Sequence, residues 1–206
     1  LGLNGGWYGL RARREFGALF SGLTGDQRGG VQTGALAIVY TRGQSLDLTK
    51  QVDNFGEGYR VHKFRNVTKA GTGGSDQNFV DIDFPMFRLA DAYLMYAEAV
   101  TRGGGGTRAT ALQYVNALRT RAGAPTIADA ELTTNFLLDE RGRELFWEGH
   151  RRTDLIRFGA FTGGTKLWQF KGGTASGTAT PAFRNLFPIP AVELAANPGL
   201  TQNSGY

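Results

Sequence analysis

DFPMFRLADAYLMYAEAV (Asp83–Val100) carries the reading of the fold. An acidic residue stands two places before Pro85, in first-turn position. Phe87, Ala90, Leu94, Ala97 and Val100 then share one face at three- and four-residue spacing. The spacing predicts an amphipathic helix over Phe84–Val100, beginning near Pro85, with Asp83 available as its N-cap. Four glycines, Gly103–Gly106, end it. Thr107 caps a second helix that runs to Ala122, with Ala111, Leu112, Val115, Leu118 and Ala122 inward and Gly123 as the stop. Two such helices across a short glycine loop pack antiparallel, and Phe87, Leu94, Leu112 and Val115 are expected in their interface.

Small residues at Ala90, Ala97, Ala99 and Ala111 allow the close approach of tetratricopeptide-type hairpins. A hairpin of this kind cannot cover its own outer face, so further helices are expected to stack on it. Downstream, a third helix is predicted from Thr133 or Thr134 through Glu148, where Gly149 interrupts it. A short helix follows over His150–Phe158. Beyond Gly159 the chain reads as irregular up to a capped turn at Ala191–Ala196. Upstream, residues 1–80 are loop-rich: Arg11–Phe20 is one short helix with Phe16, Leu19 and Phe20 on a face. Val31–Tyr40 and Gly58–Val67 alternate as short strands do.

Composition agrees with a folded, loop-rich chain. Hydrophobic residues make up 41% and charged residues 20%, outside the range of disordered sequences. Glycine, at 31 of 206, is roughly twice its average usage, and the clusters at Gly71–Gly74, Gly103–Gly106 and Gly163–Gly177 read as flexible connections. The net charge of +5 divides unevenly, with ten Lys/Arg against six Asp/Glu in residues 1–80 and thirteen against twelve after them. The basic residues are scattered rather than interleaved with aromatics, which argues against a nucleic-acid platform. There is no cysteine, which removes disulfides, thiolate metal sites and cysteine nucleophiles together. No apolar run reaches the ~20 residues of a membrane helix.

Three stretches carry a family resemblance. Phe84–Val100 is similar to the helix DFPLFRLADVYLMYAEA, and LDERGRELFWEGHRRTDLIRFG (Leu138–Gly159) to the block DERARELxxEGHRRxDLIRxG. FPIPAVELAANPGLTQNSGY (Phe187–Tyr206) is similar to an ending with FPIP, NP, L and QNPGY. The chain thereby resembles the SusD/RagB family, with fainter likeness back to about Trp7. Gly142 departs from the usual Ala and Ser204 from the common Pro.

The resemblance implies a mainly α fold of tetratricopeptide-like hairpins with long irregular loops. It makes residues 1–206 the C-terminal part of one SusD-like domain: a loop-rich 1–80, a helical 81–159 and an irregular 160–206, with an N-terminal part missing. It also implies a non-catalytic outer-membrane lipoprotein on the cell surface, held by a lipid anchor upstream. Such a protein captures an oligosaccharide or polysaccharide for a SusC-like TonB-dependent transporter. The wording of the C-terminal half is nearest the starch and maltooligosaccharide branch. The rival readings are a tetratricopeptide-type scaffold that binds only proteins and a glycoside hydrolase.

Glu140, Glu144 and Glu148, four apart with His150 beyond, suggest paired carboxylates or a metal site. Glycosidase carboxylates instead face each other across a substrate, and zinc-protease spacing needs two histidines four residues apart, whereas this chain has only His62 and His150. These acids, with Asp139 and Asp154, are expected to pair with Arg141, Arg143, Arg151, Arg152 and Arg157 in buried ion pairs. Asp81 and Asp83 point the same way in an extended segment and offer hard oxygens to one structural Ca²⁺. Some family members carry calcium at the matching Asp-x-Asp. No cofactor is otherwise required. Trp7, Tyr8, Trp147 and Trp168 are the aromatic candidates for stacking on a sugar, with Trp147 reading as core and Trp168 as a loop anchor. No glycan-contacting residue is assigned from the sequence.

Overall fold

Leu94 and Ala97 of one helix meet Ala111 and Val115 of the next with no exposed surface on any of the four, and the fold is built out from that contact. The computed structural model describes residues 12–29, 39–41, 59–61, 63–64, 66–68 and 70–206, with the backbone alone for 39–41 and 59–61. Helix α2 covers Leu89–Thr101 and helix α3 covers Arg108–Arg121. The Thr107 hydroxyl caps α3 by accepting from the Thr110 amide. The Tyr93 and Tyr114 rings stack at 4.1 Å across the hairpin. The predicted hairpin is present, and its fold class is mainly α.

Helix α4, Thr134–Glu144, lays Leu137 against the hairpin, and Leu132 and Leu145 at its two ends join the same core. The Thr133 hydroxyl caps it through the Phe136 amide. Helix α5, Arg151–Arg157, turns back so that Leu155 packs with Leu138 and Ala160. Before this block, the single turn of helix α1 (Arg14–Gly17) runs into a 3-10 turn at Ala18–Phe20, and the Phe16 ring stacks 4.1 Å from Phe146. Strands β1 (Val39–Thr41) and β2 (Tyr59–Val61) form a two-stranded antiparallel ribbon with Tyr40 opposite Arg60. The remainder of the two predicted strand stretches lies largely outside the described residues. The predicted turn at Ala191–Ala196 is a short helix, α6, that follows Pro190 without a side-chain cap.

Three expectations are corrected. Helix α2 starts at Leu89, so neither Asp83 nor Pro85 belongs to it, and Phe87, 90% exposed, lies outside the hairpin interface. The reason is Arg88: its side chain is drawn to Glu144 and Glu148, its backbone is extended (φ −150°, ψ 154°), and the helix cannot begin before it. Helix α4 ends at Glu144 rather than Glu148, because Trp147 adopts a left-handed conformation (φ 63°) in the turn that follows. Ala99 is exposed, so close approach rests on Ala90, Ala97 and Ala111.

Among the described residues no helix is long and apolar enough to cross a membrane.

Candidate functional site

The three glutamates at four-residue spacing do meet in space, but as the acids of a buried ionic lattice. Glu140 is fully buried. Its Oε1 accepts from Arg28 Nη1 at 2.8 Å and its Oε2 from Arg119 Nη1 and Arg143 Nε, each at 2.8 Å. Glu144 accepts from Arg28 at 3.0 Å, Arg88 at 2.7 Å and Arg121 at 2.6 Å. Glu148 reaches the same lattice from the turn after α4. It accepts from Arg88 Nε and Nη2 at 2.6 and 2.7 Å and from the Lys63 ammonium. Asp26 completes the set by holding Arg28 through both oxygens, at 3.0 and 2.7 Å.

A second group ties α2 to α5. Glu98 accepts from Arg102 and from two nitrogens of Arg157, all at 2.9 Å. Arg157 also donates to Asp154 at 2.8 Å. Arg141 lies 2.8 Å from Asp91 and 2.9 Å from Asp154. At Arg141 the charges are in contact while the N–H groups are not aimed at the oxygens, so the attraction is Coulombic rather than a directed hydrogen bond.

Electrostatics follow from this packing. Burial pushes Glu140 up, but the charges of Arg28, Arg143 and Arg119 outweigh it and hold the carboxyl below its ordinary value. Glu148 is likewise raised by burial and brought below normal by the hydrogen bonds of Arg88 and Lys63. A general acid needs the opposite shift and an open face toward substrate. These carboxylates are ionised, saturated and enclosed, and the lattice reads as a structural lock.

Two of the expected pairings differ. Among the described residues neither Arg151 nor Arg152 stands within ion-pair distance of a carboxylate. Arg151 donates to the Leu138 carbonyl at 2.7 Å and Arg152 to the Arg184 carbonyl at 2.9 Å, while the Arg152 guanidinium lies 3.9 Å from the Phe187 ring centroid. Arg152 thereby satisfies carbonyls at the end of the Ala182–Asn185 turn, whereas Arg151 adds a donor to a carbonyl inside α4 and so ties the start of α5 to it. Sequence reasoning missed Asp26 and Arg28, which lie in turns without periodicity, and Lys63 and Arg88, which lie in stretches read only for their apolar pattern. Arg119 carried a signal, since it lies beside Leu118 at the inward end of α3.

Asp81 and Asp83 are both exposed. The Asp81 carboxylate accepts from the Ser75 amide at 2.6 Å and the Ser75 hydroxyl at 2.7 Å, which hold it ionised, below its ordinary value. A carboxylate offers about four acceptor positions, so Asp81 retains lone pairs for a cation. Among the described residues no cluster of three or more His, Asp or Glu stands close enough to hold a metal.

Trp7 and Tyr8 lie outside the described residues. Trp147 is half-buried and meets Phe146 edge-on at 6.4 Å. Trp168 packs against Leu138, Leu155 and Ala160. An open groove of about 370 Å³ runs between α2 and α3, lined by Leu89, Tyr93, Leu118, Arg88 and Arg121. Leu89 in its lining, and Phe84, Met86, Phe87 and Met95 in the same stretch of chain, are all more than half exposed.

Comparison with known proteins places this geometry. The family model described as the SusD family matches residues 15–206. Over 158 residues the chain is 40% identical to the starch-binding protein SusD of Bacteroides thetaiotaomicron, a match covering 77% of this chain and 28% of that protein. Over 131 residues it is 37% identical to the SusD-like protein P25 of Formosa agariphila, covering 59% of this chain and 24% of that one. The chain thus spans about a quarter of the length of the curated relatives it matches. Among solved structures, the surface glycan-binding protein A of Bacteroides uniformis superposes with a TM-score of 0.65 at 26% identity, over 94% of this chain and 40% of that one. A SusD superfamily protein of Bacteroides vulgatus gives a TM-score of 0.65 at 22% identity over the whole of this chain and 42% of its own, a likeness of fold.

Proposed function

The chain belongs to the SusD family, and from that premise we propose that it serves in the non-catalytic capture of glycans at the cell surface. The observation that carries the reading is the 40% identity to a starch-binding protein over 158 residues. Starch or maltooligosaccharide is the proposed ligand class, and a SusC-like TonB-dependent transporter the proposed receiver. The proposed location is the outer membrane, through a lipid anchor. The saturated glutamates support capture over cleavage, since none is free to protonate a glycosidic oxygen. Isothermal titration of the protein with maltoheptaose, alongside a panel of unrelated glycans, tests the ligand class. Binding to no member of the panel overturns the reading, and so does hydrolysis of any member.

A tetratricopeptide-type protein scaffold is the second reading, favoured by the exposed apolar side chains of Phe87, Leu89 and Met95. Retention of a transporter barrel without any glycan affinity would select it. A calcium ion on Asp81 and Asp83 is proposed separately. It would add structural rigidity to the approach to α2 through hard oxygen ligands, and carbonyls or water would have to complete its six to eight positions.

A further inference from the structure

The glycine-rich segment after α5 reads in the sequence as a flexible connection, yet it is wound around one buried ammonium. Lys171 is 4% exposed. Its Nζ donates to the carbonyls of Lys166 at 2.6 Å and Gly163 at 3.2 Å and lies 4.5 Å from the centroid of the Trp168 ring. Among the described residues no carboxylate stands within ion-pair distance of it; the nearby Asp139 is taken by Lys166 at 2.9 Å. The strap closes on itself through Thr178 N to Lys171 O at 3.0 Å and Gly163 N to Thr180 O at 2.8 Å. Gly177 passes so close that a Cβ there would stand 2.3 Å from the Trp168 carbonyl oxygen. Phe170, between Trp168 and Lys171, is held in the left-handed region (φ 62°), which L-residues avoid and which persists where surrounding contacts enforce it.

These contacts differ in kind from the lattice around α4. There every buried cation meets ionised oxygens; here a buried cation is held by two neutral carbonyls and an aromatic face. That is the weaker arrangement, because no opposite charge attracts the ammonium, and the two bonds are charge-assisted from the donor side alone. An indole face carries the negative lobe of its quadrupole, which the ammonium now satisfies. The C–H face of a pyranose is also electropositive and apolar, and matches the same surface.

We propose that the Trp168 ring is a covered saccharide-stacking surface and that the strap 169–178, pinned by Lys171 to the carbonyls of Gly163 and Lys166, is the lid over it. The saccharide half of this inference rests on the glycan-capture reading; the lid does not. Apparent affinity is reduced by the fraction of molecules with the lid open, so loosening the pin strengthens binding without adding any contact.

Lys171→Met keeps the stem and removes the ammonium. Acrylamide quenching of Trp168, isolated by subtracting a Trp168→Leu background from the three-tryptophan signal, should rise about twofold. Amide exchange over 171–178 should quicken about tenfold. Maltoheptaose should bind Lys171→Met at least about threefold more tightly than wild type and should restore protection of Trp168. Gly177→Ala, which pushes the strap off the Trp168 backbone and leaves Lys171 intact, should act in the same direction if Lys171→Met does not fold. Unchanged quenching and exchange in both variants overturn the lid. Equal maltoheptaose affinity in wild type, Lys171→Met and Trp168→Leu overturns the stacking surface while glycan capture stands. An open lid with no binding to any glycan of the panel overturns glycan capture and the saccharide role of Trp168 together, and leaves the lid in place.

Discussion

Arg28 Nη1 donates to Glu140 at 2.8 Å and to Glu144 at 3.0 Å, so one guanidinium nitrogen ties a loop before the helical block to two successive turns of α4. Asp26 fixes the other edge of the same guanidinium, and Glu140 is shared with Arg119 from α3. Three distant pieces of chain are thus held by one buried charge cluster. Removing a single member leaves its partners charged, buried and unpaired, which is far costlier than the pairing itself is stabilising.

Glu140→Gln should therefore destabilise the protein by about 3–5 kcal/mol. Urea unfolding followed by circular dichroism measures it. A loss below about 1 kcal/mol would mean that the arginines find other acceptors and that the lattice is not a lock.

The lattice also sets an acid limit. The carboxyls of Glu98, Glu140 and Glu148 are held below their ordinary values in the fold. Groups depressed in this way contribute stability that is present above the unfolded value, about 4.3 for glutamate, and lost as pH falls through the lower folded values. Melting temperature should be flat from neutral pH to about 5 and fall steeply below about 4. A decline beginning near pH 6 would point to other groups.

The hairpin core is the place to test packing. Leu94 has no exposed surface and sits where Val115 and Leu137 meet it, so Leu94→Ala should cost about 2–5 kcal/mol. Phe87→Ala, at a position 90% exposed, should change stability by less than about 0.5 kcal/mol. The reverse order in thermal melts would place the hairpin interface where the raw periodicity of Phe84–Val100 puts it.

That contrast shows what a sequence of this kind discloses. Helices α2, α3, α4 and α5 were legible because apolar period, hydroxyl caps at Thr107 and Thr133 and glycine stops agreed with one another. Their ends were less so. Arg88 starts α2 late through long-range bonds to Glu144 and Glu148, and Trp147 ends α4 early by taking a left-handed backbone conformation. Three acids of the lattice were visible as a four-residue repeat, whereas Asp26 and Arg28 sit among glycines and turns without period and Lys63 in a stretch read only for its alternation. The Lys171 strap was read as flexible for the same reason, since glycine content reports backbone freedom and not what the backbone wraps.

Gly142 gives a sharper test of helix propensity against packing. A Cβ at this position in α4 would stand 2.8 Å from Arg151 Nη1 and 3.1 Å from Leu19 Cδ1. Arg151 Nη1 is committed to the Leu138 carbonyl at 2.7 Å. Alanine should gain about 1 kcal/mol of propensity and lose it again by displacing that guanidinium, leaving melting temperature unchanged or lower. In an Arg151→Ala background the gain of about 1 kcal/mol should reappear. An equal gain in both backgrounds would mean that Arg151 moves aside freely.

The last expectation concerns Asp81 and Asp83. Asp81 is ionised and turned toward Ser75, with spare lone pairs, and Asp83 follows two residues later on the same exposed segment. If the pair takes calcium, its oxygens come to about 2.3–2.6 Å from the ion. Binding to the folded state then raises melting temperature in proportion to the logarithm of calcium above the dissociation constant. Calcium at about a hundred times that constant should add about 2.7 kcal/mol, reversed by EGTA. Asp83→Asn should abolish the response while leaving the calcium-free melt untouched, because Asp83 has no partner among the described residues. Asp81→Asn should lower the calcium-free melt as well, since it weakens the two bonds from Ser75. A melt indifferent to calcium and EGTA, with Asp81→Asn still destabilising, would assign Asp81 to the Ser75 turn alone and leave no metal role for Asp83.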